Sequence, residues 1–371
     1  MSIPLVDLKA QYATIKNELD TAIHHILDNT AFIMGKPVSD FEAKFGAYTQ
    51  AKHAIGVSSG TDALLIAMQA IGLQADDEVI TTAHTFIATV EPMMQLGLKP
   101  VFVDIDPVTY NIDVSKIAAA ITEKTKAIVP VHLYGQAANM TAIAEIAAKH
   151  KLHILEDAAQ AHGSRWNNQA VGTHSLATTF SFYPGKNLGA AGDAGGIITN
   201  DDAVAEAARL LLNHGSETKY RHVKIGYTSR LDALQAAVLT VKLKYIEKWT
   251  EQRRKNAAYY DELMAEIPNV VAPKSDKQAR HVYHLYVVRV PRDREAVLQY
   301  LHDKGIGAGI HYPIPLHLQP ALAGLGYKEG DFPHTEAAAQ QIISLPMFPE
   351  LTKSQMEEVA QTLHEAISVT A

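Results

Sequence analysis

The chain has 371 residues, enough for a large buried core and, as a soft expectation, about two domains. A net charge of -7 argues against a general nucleic-acid binder, and the lack of cysteine excludes disulfides, thiolate zinc sites and cysteine nucleophiles. The start MSIPLVDLKAQY has no basic segment followed by an apolar one, and the apolar runs fall short of a membrane span. A cytoplasmic protein with no membrane or nucleic-acid partner is therefore expected. The 18 histidines show no metal-site spacing at His24/His25, His281/His284 or His311/His317, so no metal site is expected either.

In chain order, residues 3–8 read as a short extended start, and 15–27 carry apolar residues at a helical period. A second short helix is expected over 41–48. Residues 53–57 read as a strand that runs into SSGTDALLIAMQAIGL, a small polar turn and a helix beginning near Thr61. Strands follow at 78–81, 101–104, 127–131 and 153–155, and helices at 112–121 and 140–149. Alternation at this spacing predicts a mostly parallel sheet flanked by helices. Residues 177–182 read as a buried strand, 197–198 as another, and 203–212 as a helix. Beyond a basic loop, long helices are expected at 231–245 and 249–267. The composition then changes: an antiparallel-type strand at 283–290, helices at 294–304, 335–343 and 353–367, a short extended segment at 306–310 and a turn at 346–349. The domain boundary is placed near Lys248, giving a large domain over 1–248 and a smaller C-terminal α/β domain over 249–371.

Three features fall at strand ends, where ligands gather in such sheets. The first is Lys186, in FSFYPGKNLGAAGDAGG, where a Pro-Gly turn precedes the lysine and glycines follow it. Alone it reads as a surface lysine in a glycine-rich loop; in context it suits an amine that condenses with a carbonyl. The second is the helix start at Ser58 to Asp62, whose hydroxyls and unpaired amides suit a phosphate, or simply cap the helix. The third is Asp157, either a helix cap or a carboxylate for a protonated ring nitrogen. Pyridoxal phosphate needs all three: an anion site, a carboxylate and an amine. Phe86 then suits the ring face, Gln160 the ring hydroxyl and Ser181 the phosphate, although each also has an ordinary packing or polar role. A dinucleotide-binding reading of GIGAG at residues 305–309 fails, because that loop follows a helix instead of opening one.

The motifs SSGTDAL, TTAHTFIAT, VHLYGQ, EDAAQAHG, FSFYPGKNLG, GDAGG and SRLDALQAAVL occur in this order. Together they resemble the DegT/DnrJ/EryC1/StrS family of pyridoxal-phosphate sugar aminotransferases, fold type I, over essentially the whole chain. The resemblance implies that Lys186 forms the Schiff base and that Asp157 and Gln160 meet the ring nitrogen and hydroxyl. It assigns Gly60, Thr61 and Ser181 to the phosphate and Phe86 to the ring. It implies a homodimer whose partner completes each site from the loop before SRLDALQ. There the family commonly carries Asn, and this chain has Thr228. The implied reaction transfers an amino group, from L-glutamate through pyridoxamine phosphate, to a nucleotide-linked keto-deoxysugar. The form of the lysine motif most resembles members acting on dTDP-linked 3-keto-6-deoxyhexoses. Members acting on 4-keto or UDP-linked sugars, and a non-catalytic cofactor-binding regulator of the same fold, stay as alternatives. Tyr183, Tyr220, Arg221, His311, Tyr312 and His317 are candidate substrate contacts, or structural residues.

Overall fold

The computed structural model describes residues 2–291 and 293–369. Its centre is a seven-stranded sheet: β1 (His53–Val57), β2 (Glu78–Thr82), β3 (Lys99–Val103), β4 (Thr125–Ile128), β5 (His153–Asp157), β6 (Ala177–Ser181) and β7 (Gly195–Thr199). Their spatial order is β1-β7-β6-β5-β4-β2-β3. From β6 to β3 each neighbouring pair is parallel, whereas β7 runs antiparallel to both β1 and β6. The expected α/β architecture, a mostly parallel sheet flanked by helices, is what the chain adopts.

The strand sequences explain why both faces of the sheet are covered. Successive side chains point to opposite faces, and here both are apolar. Ile80, Ile128, Ile154 and Ile198 face one core together with Phe41, Phe45, Phe180 and Leu239. Their chain neighbours Val79, Ala127, Leu155 and Ile197 face a second core with Leu64, Met68 and Ala208. Continuous apolar runs of this kind are the mark of a sheet buried on both sides. Helices Lys36–Thr49 and Ala233–Leu243 cover the first face, and Gly60–Ala70 and Asp202–Leu211 the second.

A separate core gathers Tyr260, Tyr286, Val288, Leu301, Ile343 and Leu363 from the C-terminal third, together with Ile3 from the start of the chain. The strand Tyr286–Arg289 pairs antiparallel with Ile342–Leu345 there. This corrects the expectation of a helix over 335–343. The helix spans Pro333–Gln341, and the β-branched pair Ile342-Ile343 opens the strand instead. The helix expected over 112–121 is one short turn, Val114–Ile117, followed by a 3-10 turn at Ala118–Ala120, because Ile112 is taken up in a bridge to Ile105. The long helices fall at Ala233–Leu243 and Ile246–Ala265, and a short helix at Glu91–Gln95 was not expected. No helix among the described residues is long and apolar enough to cross a membrane.

Phe45 is the aromatic hub of the first core. Its ring centroid lies 5.1 Å from that of Phe180 and 5.2 Å from that of Phe182, both edge-on, and 5.6 Å from that of Phe41. Phe45→Ala should cost about 3–5 kcal/mol. Urea unfolding measures this, and a loss under about 1 kcal/mol would show that the hub is dispensable.

Candidate active site

The end of β6 turns sharply. Beyond Ser181 the Lys186 amide donates to the Tyr183 carbonyl at 2.8 Å, which closes the Pro-Gly turn and sends the lysine back toward the sheet. Lys186 lines a cavity of about 400 Å³ at the carboxyl ends of the parallel strands. Gly60, Thr61, Asp157, Gln160 and Ser181 line the same cavity, and Phe86, Tyr183 and Tyr312 complete its walls. A larger groove of about 950 Å³ lies elsewhere, along Leu8–Asp28 and residues 31–40, and contains none of the predicted residues. Convergent polar and charged groups, more than size, mark the smaller cavity as the candidate site.

The floor is electrostatic. Asp157 ends β5 and is 5% exposed. Its Oδ2 accepts from Thr89 Oγ1 at 2.8 Å and its Oδ1 from the Ala159 amide at 3.1 Å. Since Thr89 donates to the carboxylate, the Thr85 hydroxyl 2.8 Å behind it donates to Thr89. Burial raises the Asp157 pKa, against the pull of these donors and of Lys186. Burial also pushes the Lys186 ammonium down to about 8, with Asp157 opposing. Both shifts say the same thing: removal from water outweighs the attraction between the two groups.

One wall is a helix start. Ser59 caps Gly60–Ala70, its Oγ accepting from the Asp62 amide at 3.0 Å and its carbonyl from the Ala63 amide at 3.0 Å. Of the first turn's amides, those of Gly60 and Thr61 have no acceptor within the helix. The Asp62 carboxylate, which would repel an anion there, is drawn aside by the hydroxyls of Ser58 and Ser229, the latter at 2.8 Å. Glycine is required on both sides of this contact. A Cβ on Gly60 would lie 2.6 Å from Ser181 Cβ, and one on Gly195 would lie 2.1 Å from the Ser59 carbonyl oxygen.

The other wall is set from behind. The Tyr134 amide can only donate, and it reaches Gln160 Oε1 at 2.6 Å. This turns the Gln160 Nε2 toward Tyr312, whose hydroxyl accepts from it at 3.1 Å. The Tyr312 ring lies 5.4 Å from that of Phe86, tilted by 36°, and Phe86 is 52% exposed.

The remaining predicted residues are elsewhere. Thr228 accepts or donates a hydrogen bond with His214 Nε2 at 2.9 Å, on the loop beyond Asp202–Leu211. Tyr220 on that loop is 84% exposed, and Arg221 pairs with Glu217. His311 sits behind Tyr312, its Nδ1 on Ser344 Oγ at 2.8 Å. His317, read from the sequence as a substrate contact or a structural residue, is 2% exposed, pairs with Glu336 at 2.9 Å and packs edge-on against Phe332. Sequence reasoning missed Thr85, Thr89 and Asp193. The threonines lie within the TTAHTFIAT motif, so the signal was present but unassigned; Asp193 had only its place in GDAGG.

The model of the DegT/DnrJ/EryC1/StrS aminotransferase family matches residues 13–364. The chain is 51% identical over 367 residues to a protein of Geobacillus stearothermophilus named pleiotropic regulatory protein, covering 98% of each. It is 42% identical over 363 residues to the dTDP-3-amino-3,4,6-trideoxy-alpha-D-glucose transaminase of Streptomyces venezuelae, covering 98% of this chain and 96% of that one. Its fold is similar to the crystal structure of S. venezuelae DesV in complex with a ketimine intermediate, with a TM-score of 0.96, 42% identity and 98% coverage of each chain.

The geometry makes a prediction independent of any ligand. In cofactor-free protein, acylation of Lys186, followed by peptide mass spectrometry across pH, should show a midpoint near 8 instead of the ordinary 10.5. Asp157→Asn should move that midpoint lower, because the carboxylate is the group that favours the ammonium. A midpoint that stays put or rises would separate the two side chains. The same shift implies that stability gains from this lysine as pH rises from about 8 toward 10.5, where the unfolded chain still holds a proton that the folded one has lost.

Proposed function

We propose, for a chain that belongs to the DegT/DnrJ/EryC1/StrS aminotransferase family, that it moves an amino group from L-glutamate to a nucleotide-linked keto-deoxysugar, a dTDP-linked 3-keto-6-deoxyhexose. The observation that carries this reading is the convergence of Lys186, Asp157 and the Gly60–Thr61 helix start on one cavity. The family depends on pyridoxal phosphate, and the residues present fit that group. Backbone amides and the Ser181 hydroxyl suit its phosphate, and the glycine contacts leave room for it. Asp157, buried at the cavity floor with its pKa raised by burial, suits a pyridinium N–H. Gln160, with its Oε1 held by Tyr134, offers an N–H donor that suits the ring oxygen.

When bound, the cofactor supplies an aldehyde carbon and a ring that accepts electrons. Lys186 Nζ, made less basic by burial, is partly a free amine near neutral pH, so it serves as nucleophile and then as the base that moves a substrate proton. Asp157 holds positive charge at the cavity floor, and the Thr85–Thr89 hydroxyl pair orients its carboxylate. Phe86 and Tyr312 cover the mouth against water. Tyr183, 57% exposed at the rim, faces the sugar in this reading. The loop bearing Tyr220, Arg221 and Thr228 reaches the partner's site in a homodimer; Tyr220 at 84% and Ile225 at 95% exposure give it an apolar tip that is open in the single chain.

One observation favours a second reading. The relative at 51% identity carries a regulatory name, so a cofactor-binding regulator on the same fold is the alternative. Turnover separates the two. The purified protein should be yellow, borohydride should fix the cofactor's mass on the Lys186 peptide, and L-glutamate should bleach the colour. A panel of 3-keto and 4-keto sugars linked to dTDP or UDP should then show amination at C3 of a dTDP-linked member. Colour that no amino donor bleaches would select the regulatory reading, and a colourless protein would remove both.

The cross-subunit part has its own check. Thr228→Val should weaken cofactor affinity by about 2–12-fold, the loss of one hydrogen bond of about 0.5–1.5 kcal/mol. Thr228→Asn should hold or tighten it. Equal affinity in the valine variant would take Thr228 out of the site.

A further inference from the structure

The residue next to the reactive lysine is buried and does not face the cavity. Asn187 is 4% exposed, and its Nδ2 donates to the Val282 carbonyl at 3.1 Å. That bond fixes the amide, so its Oδ1 is the atom 3.3 Å from His284 Nδ1. Residues 282–285 therefore touch the lysine turn from behind. They are themselves held at several points. The Arg253 guanidinium, 3% exposed, donates to the carbonyls of Tyr283 at 3.2 Å and His284 at 3.4 Å, and to that of Met347 at 2.8 Å. The Val282 amide donates to the Gly135 carbonyl at 2.9 Å, and the Leu285 amide to the Tyr134 carbonyl at 3.3 Å. Tyr134 is the residue whose amide holds Gln160. One short segment thus braces two cavity residues at once, Lys186 through Asn187 and Gln160 through Tyr134.

We propose that Asn187 is a positioning residue for Lys186: its side-chain amide latches the lysine turn to residues 282–285 and keeps the lysine in its dry setting. The latch is specific in geometry. The amide donates on one side and accepts on the other, a pairing that neither a hydroxyl of shorter reach nor a carboxylate provides. For the bond to His284 the imidazole must carry its proton on Nδ1, which suits a neutral ring, and burial lowers its pKa well below the ordinary value. The titratable groups around Lys186 are Asp157 on β5, His162 beyond it, His284 in the brace and His311 beside Tyr312, with Asp193, Tyr183 and Tyr312 lining the same cavity. The three histidines are buried with lowered pKa values, so none of them carries charge near neutral pH, and Asp157 is the group that favours the ammonium. Loosening the latch admits water without introducing a new charge, and water favours the ammonium.

The inference rests on Lys186 being the reactive amine, but its test does not require turnover. Lys186 acylation in the full chain, freed of any cofactor by hydroxylamine and dialysis and read by peptide mass spectrometry from pH 6 to 10, reports the lysine directly whether or not the protein is a transaminase. Asn187→Ala should raise the midpoint by about 0.5–1 unit. His284→Leu should raise it as well, since it removes the partner but leaves Asn187 in place. His284→Gln keeps a donor toward Asn187 Oδ1 and should return the midpoint to the wild-type value. If Asn187→Ala fails to fold, the leucine and glutamine variants at His284 still decide. An unchanged midpoint in folded Asn187→Ala or His284→Leu overturns the proposal, and so does an equal shift in the leucine and glutamine variants.

Discussion

Desolvation at the end of a parallel sheet governs this molecule. Lys186 and Asp157 carry opposite charges, yet burial disfavours the charged form of each more than their attraction favours it. A pair in that condition is stable only where the surrounding fold leaves no choice. Here β5 and β6 are adjacent and parallel, with Asp157 in register with Thr179 and Ser181 two residues further on. The strand register thus sets where the carboxylate and the lysine turn stand relative to each other. The reversed β7 then pairs Ser181 with Gly195, which brings a residue without a side chain against the Ser59 carbonyl. The helix start at Gly60 fits into the room so made.

The supporting shell follows from the same constraint. A buried carboxylate needs donors, and Thr89 and the Ala159 amide provide them. A buried side-chain amide needs both its ends satisfied, so Gln160 is oriented by one backbone N–H from Tyr134. Tyr134 adopts a left-handed conformation, at a φ of 58°, to aim that N–H. Backbone conformations of this kind persist where the neighbours over-determine them, and Tyr134 is bonded through its amide, its carbonyl and its hydroxyl.

What could be read from the sequence and what could not divide along contact range. The strands around Ile55, Ile80, Ile128 and Ile154 announce themselves by composition, and Lys186, Asp157 and Gly60 by the turns and caps that surround them. These are local signals, fixed by a few neighbouring residues. The place of His317 could not be settled from PLHLQP, because Glu336 and Phe332, which bury its ring, come from a later helix start. Ile342 and Ile343 misled because they continue an apolar helical period, and only pairing with Val288 and Arg289 makes them a strand. Thr85 and Thr89 stood in a motif without an assigned role until Asp157, 68 residues after Thr89, came within reach. The brace at residues 282–285 was invisible for the same reason.

The distribution of burial also bears on whether the site does chemistry or only holds a ligand. An anion site at Gly60 and Thr61, with a lysine within reach, would be enough to retain an aldehyde phosphate. A carboxylate at the far end of the cavity adds nothing to that retention which a neutral donor would not add at less cost, since its burial is unfavourable. In the proposed transamination its use is to keep a ring nitrogen protonated, and that matters only when the ring must accept electrons from a substrate carbanion. The same holds for the lysine: a covalent anchor works at any basicity that allows condensation, but a base that moves protons near neutral pH needs the lowered value that burial imposes. On the proposed function, Asp157 and the dry setting of Lys186 are therefore the features that would distinguish a transaminase from a passive binder of the same cofactor.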